Sequence, residues 1–386
     1  MAGFVYGLVE AVPLHSIAED SVQVQSYMLP AIGTTVPVGD LADTSTAQSS
    51  NAQGQASGIS MPVSREDFYV TSDPDIQIFV REVLPTVQTS IGNPVLFVHG
   101  GGSAGLSNFD LDVPGYSLAE TLAAAGHAAY ILDVRGFGRS TRPTSFDWPV
   151  EEAPPAVPIE EAVRDIQAVV AWIRARNNNA PVALVGWATG GHWAGLYTSQ
   201  HNDSVSHLVI LNSLYGVDAP WEYRERFEDP EISGEYDRTA GDRVVTAEQL
   251  TANWDRTIPV EDLSQWRDPS VEQAYQRLAF DSDPTSNTRT PPSLRIPGAF
   301  RREAYYLSQG YKYWEAADIR VPTLIIRGEH DHWSRPADVE SLAAELVNAP
   351  QVETVTISDG THFLFLDRPE RGRDRFIQEV LTFLRN

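Results

Sequence analysis

Short apolar runs and amphipathic stretches alternate along most of this chain, beginning at Asp67. Phe68-Tyr69-Val70 and Ile76-Gln77-Ile78-Phe79-Val80 read as two strands, joined at Ser72-Asp73-Pro74-Asp75 where turn residues cluster. Pro94 to Val98 is apolar throughout, as a strand buried on both faces of a parallel sheet must be. Ser117 to Ala125 predicts a short helix closed by Gly126, and Ala128 to Leu132 the next strand. Ala162, Ile166, Val169, Val170 and Ile173 fall on one stripe of a helix expected from about Ile159 to Arg176. Val182 to Val185 is again a buried strand, followed by a helix from Thr189 to Thr198, and His207 to Leu211 is a further strand. Much later come a strand at Val321 to Ile326, a helix at Pro336 to Val347, a strand at Val352 to Ile357 and a terminal helix reaching Leu384. This alternation predicts an α/β protein. Its mostly parallel twisted sheet should be flanked by helices, with ligands gathered at the carboxyl ends of the strands.

Two segments break the rhythm. Residues 214–316 are polar, acidic in their first half and rich in aromatics, among them Trp221, Trp254, Phe300 and Tyr306. They predict a helical cap inserted between two parts of one core, 61–213 and 317–386. Residues 1–60 precede the core. Asp40 to Ser60 is dominated by Ser, Ala, Gln, Thr and Gly, the composition of a linker. Phe4, Tyr6, Leu8, Tyr27 and Leu29 are more than a free tail needs, so an arm packed on the body or on a partner subunit, as in a homodimer, is expected.

Composition narrows the partners. The formal charge is -24 over 386 residues. That argues against nucleic acid and against anionic membrane surfaces, which are bound through clustered Lys and Arg. No apolar run approaches the length of a membrane span. Gly3 to Val12 carries Glu10 and lacks a basic flank, so it does not read as a signal peptide, and a cytoplasmic location is the default expectation. With no cysteine, disulfides and thiolate chemistry are excluded.

The chemistry gathers where strands end. His99-Gly100-Gly101-Gly102 follows one strand, and Asp133-Val134-Arg135-Gly136-Phe137-Gly138-Arg139-Ser140 the next. Gly186-Trp187-Ala188-Thr189-Gly190 links a strand to a helix, Gly328 to Asp331 ends another strand, and Gly360-Thr361-His362 follows the last. A sharp strand–turn–helix with small residues on both flanks is the setting of the nucleophile elbow G-x-S-x-G, here with alanine in place of serine. Over roughly residues 65–386 the chain resembles the α/β-hydrolase superfamily on these motifs, and on the order of nucleophile position, acid and histidine.

The resemblance implies roles. Ala188 occupies the nucleophile position, His362 is the general base and Asp331 orients it, with Glu329 and Asp218 as alternative acids. The backbone N–H of Thr189 and that of Gly101 or Gly102 form the oxyanion hole. His99, Trp187, Trp221 and Tyr306 are expected to contact substrate. The stretch from Asp133 to Ser140 is expected to brace neighbouring loops, and His192 to pack. His330 and His332 are expected to be loop residues, with no metal site and no cofactor. The implied activity is serine-type hydrolysis of a carboxylic ester with a fairly large apolar or aromatic substrate, through an acyl-enzyme. Acyltransferase, amidase and lactonase use the same parts. Alanine at 188 admits two origins: a Ser-to-Ala replacement that leaves binding intact, or a natural hydrolase-like binding protein. Retention of both Asp331 and His362 favours the first.

Overall fold

The computed structural model describes residues 62–86, 92–149, 152–237 and 241–385; the expected arm and linker lie outside them. Its strands are β1 (Val63–Asp73), β2 (Ile76–Pro85), β3 (Val95–Val98), β4 (Ala129–Leu132) and β5 (Val182–Trp187), then β6 (Val205–Leu211), β7 (Arg243–Val245), β8 (Leu294–Ile296), β9 (Thr323–His330) and β10 (Val352–Thr361). Eight of them form one sheet in the order β1-β2-β4-β3-β5-β6-β9-β10. β1, β2 and β4 pair antiparallel, and all later pairings are parallel. The fold is an α/β-hydrolase arrangement.

β3, β4 and β5 are buried at every residue, which is why their sequences run apolar without alternation. β1 and β2 extend well beyond their apolar centres, in register from Val63↔Pro85 to Val70↔Ile78. Most of β1 faces solvent at the sheet edge, so its polar residues hide it from a pattern search. The helix Leu118–Ala124 begins where Ser117 Oγ accepts from the Glu120 N–H at 2.9 Å. The helix Ile159–Arg176 buries the stripe read from its sequence.

The loop after β4 is a brace. Asp133 is fully buried and accepts from the Gly105 and Arg139 N–H groups at 2.8 and 2.9 Å. Burial pushes its pKa up to about 6 against the pull of those bonds. Arg135 grips buried Asp165 through its side chain at 2.6–3.0 Å and also reaches Asp73. Ser140 Oγ accepts from the Phe79 N–H at 2.8 Å.

Residues 214–316, the segment expected to cap the core, hold the helices Arg224–Phe227, Ala247–Thr257, Pro269–Ser282 and Ala299–Ser308. They also hold a second sheet in which β7 and β8 pair antiparallel, an element the sequence does not announce. Strands of three residues are too short for periodicity to mark, and their partners are some fifty residues apart. The rings of this segment divide: Trp221, Tyr223, Phe227, Tyr236 and Tyr305 form a separate apolar cluster, whereas Trp254, Trp266, Tyr275 and Phe300 join the main core. Trp254 fastens the cap to the core, donating to Asp367 Oδ1 at 2.8 Å and stacking on Phe363 at 4.9 Å.

Candidate active site

β5 delivers the chain to Ala188 with φ 52° and ψ −120°, a left-handed conformation that a residue with a Cβ adopts only under constraint. The helix Thr189–Gln200 starts at the next residue, and the Ala188 N–H is tied to Leu211 O at 2.8 Å. The flanking glycines are sterically required. A Cβ on Gly186 would lie 2.4 Å from Gly190 O, and one on Gly190 2.2 Å from Val98 O.

Across from this turn stands His362. Its Nδ1 lies 2.6 Å from Asp331 Oδ1. Asp331 also accepts from the Trp333 and Ser334 N–H groups at 3.0 and 2.8 Å and from the Ser334 hydroxyl. Burial pushes the Asp331 carboxyl up, but attraction to His362 and their hydrogen bond, then His332 and the Ser334 hydroxyl, hold it below its ordinary value. The alternative acids are engaged elsewhere. Exposed Asp218 pairs with Arg224 at 3.1 Å, and Glu329 accepts from the Asp359 N–H at 3.1 Å.

The histidine loop is held from beneath. Trp187 Nε1 donates to His362 O at 3.0 Å, and its ring packs 4.9 Å from the imidazole. Asn212, itself at φ 49°, donates to His362 O at 2.9 Å and to Thr361 O at 3.2 Å, and accepts from the Gly328 N–H at 2.8 Å. One asparagine at the end of β6 thereby joins the ends of β9 and β10. Asparagine suits the position because it tolerates left-handed backbone.

A cavity of about 90 Å³ brings Gly100, Gly101, Gly102, Trp187, Ala188, Thr189 and His362 together. The glycine loop abuts the elbow, where a Cβ on Gly100 would sit 3.2 Å from the Ala188 Cβ. Cap residues Arg243, Val245, Gln249, Leu250, Asn253, Tyr275, Ile296 and Phe300 line the same cavity, as do His332, Trp333 and Phe363. The strand-end motifs offer no sign of the cap residues. His332, Trp333 and Phe363 adjoin Asp331 and His362 in sequence, which is the one available signal.

These elements, with the strained elbow at their centre, match the profile of the alpha/beta hydrolase fold over residues 93–369. The chain belongs to the alpha/beta hydrolase fold family. It is 24% identical over 258 residues to epoxide hydrolase 3 of Xenopus tropicalis, covering 64% of this chain and 62% of that one. It is 23% identical to a 1-acylglycerol-3-phosphate O-acyltransferase of Saccharomyces cerevisiae, covering 61% and 64%. The chain therefore spans less than two thirds of the length of these curated relatives. Among solved structures, the enol-lactonase from Burkholderia xenovorans LB400 superposes with a TM-score of 0.54 at 16% identity, covering 82% of this chain and all of that one.

Within this hydrolase fold, three residues expected at the substrate stand elsewhere. His99 is fully buried behind the glycine loop. Its Nε2 accepts from the Val134 N–H at 3.0 Å, so Nδ1 carries the hydrogen that bonds Gly100 O at 2.8 Å. Burial lowers its pKa to about 4 and keeps it neutral. Trp221 packs inside the cap cluster and donates to Trp333 O at 2.9 Å. Tyr306 points its hydroxyl at Glu235, 3.1 Å away. Aromatic content alone could not separate rings that face a pocket from rings that form the cap's own core. His332 departs the other way: it lines the cavity with its ring 4.6 Å from that of His362, and burial lowers its pKa to about 3. His192 is buried and accepts from Trp314 Nε1 at 3.1 Å.

On the outer rim, Glu329, His330 and Asp359 can each bring one ligand atom within 4.8 Å of the others. Asp359 is already paired with Arg371 at 3.1 Å. Among the described residues no helix is long and apolar enough to cross a membrane.

Proposed function

We propose that this hydrolase-fold chain is a serine-type carboxylic ester hydrolase whose nucleophile position holds alanine. The observation that carries the reading is the His362–Asp331 contact of 2.6 Å in the same cavity as Ala188 at its strained turn. A left-handed backbone at a residue with a Cβ is retained where the turn must display a side chain, and methyl is the least useful side chain to display. With serine at 188, its Oγ would attack the carbonyl carbon while His362 accepts the hydroxyl proton. Asp331 would hold the imidazole tautomer and stabilise its positive charge. The N–H of Thr189 and one from Gly101 or Gly102 would receive the developing oxyanion, where each donor contributes about 2.7–4 kcal/mol. Collapse expels the alcohol with the proton from His362. Water then cleaves the acyl-enzyme by the same base.

The cap wall supports a substrate with an apolar portion seated among Trp187, Tyr275, Phe300 and Phe363. As it stands, with alanine, the chain would bind this substrate and hardly turn it over, because ground-state binding does not need the hydroxyl. Loss of the nucleophile cost about 2 × 10⁶ in rate in another serine hydrolase.

The test is Ala188→Ser. It should raise ester turnover by several orders of magnitude and allow a fluorophosphonate to label position 188 alone. An added alcohol acceptor distinguishes an acyltransferase, which would form the new ester. A folded Ala188→Ser protein that neither labels nor cleaves any ester, amide or lactone in a broad panel would leave a non-catalytic binding protein as the reading.

A further inference from the structure

The elbow cavity adjoins a larger hollow of about 670 Å³, and Arg243, Gln249 and Asn253 line both. β7 sets this up by strand alternation. Arg243 and Val245 face the elbow cavity, while the exposed Val244 between them lines only the outer hollow. Gln249 and Asn253 stand one turn apart on the helix Ala247–Thr257, so a polar track leads outward from the elbow.

The charge along that track is unusual for this chain. Acidic residues outnumber basic ones by 52 to 28, yet the outer hollow is lined by three arginines and a single carboxylate, Glu222. Glu222 is taken by Arg256. Arg226 lies over the Tyr223 ring at 5.9 Å. Among the described residues nothing accepts a hydrogen bond from the Arg243 guanidinium and no carboxylate pairs with it. Four buried arginines elsewhere each hold a carboxylate: Arg135 holds Asp165, Arg267 holds Asp255 and Glu272, Arg295 holds Asp242, and Arg335 holds Asp338; a fifth, Arg373, donates to the carbonyls of Phe365 and Gly115. Burial and then the like charges of Arg301 and Arg226 lower the Arg243 pKa to about 10, which still leaves it cationic at neutral pH. A half-buried guanidinium with no anion among the described residues, beside other arginines, is an unfavourable arrangement that an incoming anion relieves.

We propose that Arg243 receives an anionic group of the substrate, a carboxylate or a phosphate carried remote from the scissile carbonyl. The inference rests on the hydrolase reading and deepens it: the apolar portion sits at the elbow and the charged end reaches out along the cap. The planar fork of arginine offers a two-pronged hydrogen bond to either anion. Gln249 and Asn253 border the path with amide groups that suit a polar linker.

The experiment compares kcat/KM in the Ala188→Ser protein for a chain-length series of monomethyl dicarboxylates, the matched dimethyl diesters and the matched methyl esters bearing a terminal phosphate. One anionic series should exceed the neutral diesters by about 10–100-fold at its best length, as expected for one charge-assisted, two-pronged contact. Whether carboxylate or phosphate leads identifies the anion. Arg243→Gln should collapse the ratio toward one through KM, and Arg243→Lys should keep part of it, since lysine retains the charge without the fork. Equal rates for anionic and neutral esters, or a ratio that survives Arg243→Gln, overturn the inference and leave the hydrolase reading standing. Should Ala188→Ser cleave neither kind, the hydrolase reading fails and calorimetry on the alanine chain decides. Binding of glutarate or inorganic phosphate that Arg243→Gln weakens by about tenfold or more supports the anion site. Absence of binding by both overturns it.

Discussion

The floor of the elbow cavity and its cap wall treat their polar atoms in opposite ways. On the floor, Asp331 has four donors or charges arranged about it, and Asn212 spends both ends of its amide on strand ends. Gly186 and Gly190 there face backbone atoms closer than any Cβ tolerates. On the wall, Arg243 has no anion among the described residues, and Gln249 is exposed. Under the proposed function, the difference separates two tasks. A group that moves protons must be held before substrate arrives, because reorganisation during reaction costs rate. A group that recognises one ligand among many gains specificity by being unpaired until that ligand comes.

The largest effect should come from breaking the floor. In the Ala188→Ser background, Asp331→Asn should lower kcat by about 10⁴, the cost of the wrong imidazole tautomer, with an unchanged circular dichroism spectrum. Asp218→Asn should change the rate little. If the two results are exchanged, Asp331 is not the orienting acid.

Next comes the steric frame. Gly190→Ala forces a Cβ within 2.2 Å of Val98 O. Relief requires the elbow helix to shift, at about 1–3 kcal/mol by the usual scale of overpacking. Urea unfolding should show a lower midpoint with the same slope. Gly102→Ala is the control, since nothing lies within 4 Å of its added Cβ. A Gly190→Ala protein as stable as its parent would mean that the floor is looser than its geometry.

The smallest effect probes a carboxyl linking the cap to the core. Glu303, on the cap helix Ala299–Ser308, accepts from the Ile159 N–H at 2.6 Å and from Trp193 Nε1 at 3.3 Å. Burial pushes its pKa up to about 8. Between the ordinary carboxyl range and about pH 8 the folded chain keeps a proton that the unfolded chain releases, so this group's contribution to stability falls as pH rises through that window. Glu303→Gln imitates the protonated form and should flatten the decline of Tm between about pH 5 and 8. An equally steep decline in the variant would assign the slope to other groups, Asp367 first, whose burial raises its pKa to about 7.

The parts of the molecule legible in sequence are those made by neighbours in the chain. The apolar runs of β3, β4 and β5 follow from burial on both faces, and the elbow glycines follow from a turn with no room for a Cβ. The contact between His362 and Asp331 could be anticipated from their strand-end positions and order, once the chain was seen to resemble the α/β-hydrolases. What only the tertiary structure decided involves residues far apart in the chain. Asn212 carries no sequence sign of its three contacts, because its partners lie some 116 to 150 positions away. The aromatics of the cap share one composition but two fates. Trp221 and Tyr306 turn into the cap, whereas Tyr275 and Phe300 face the elbow cavity. β7 and β8 are too short to show a period, yet their pairing is what sets Arg243 in the lining of the elbow cavity. Local sequence fixes backbone preference and strand burial; which face of a cap looks inward depends on how its helices pack, and that depends on contacts summed over the whole chain.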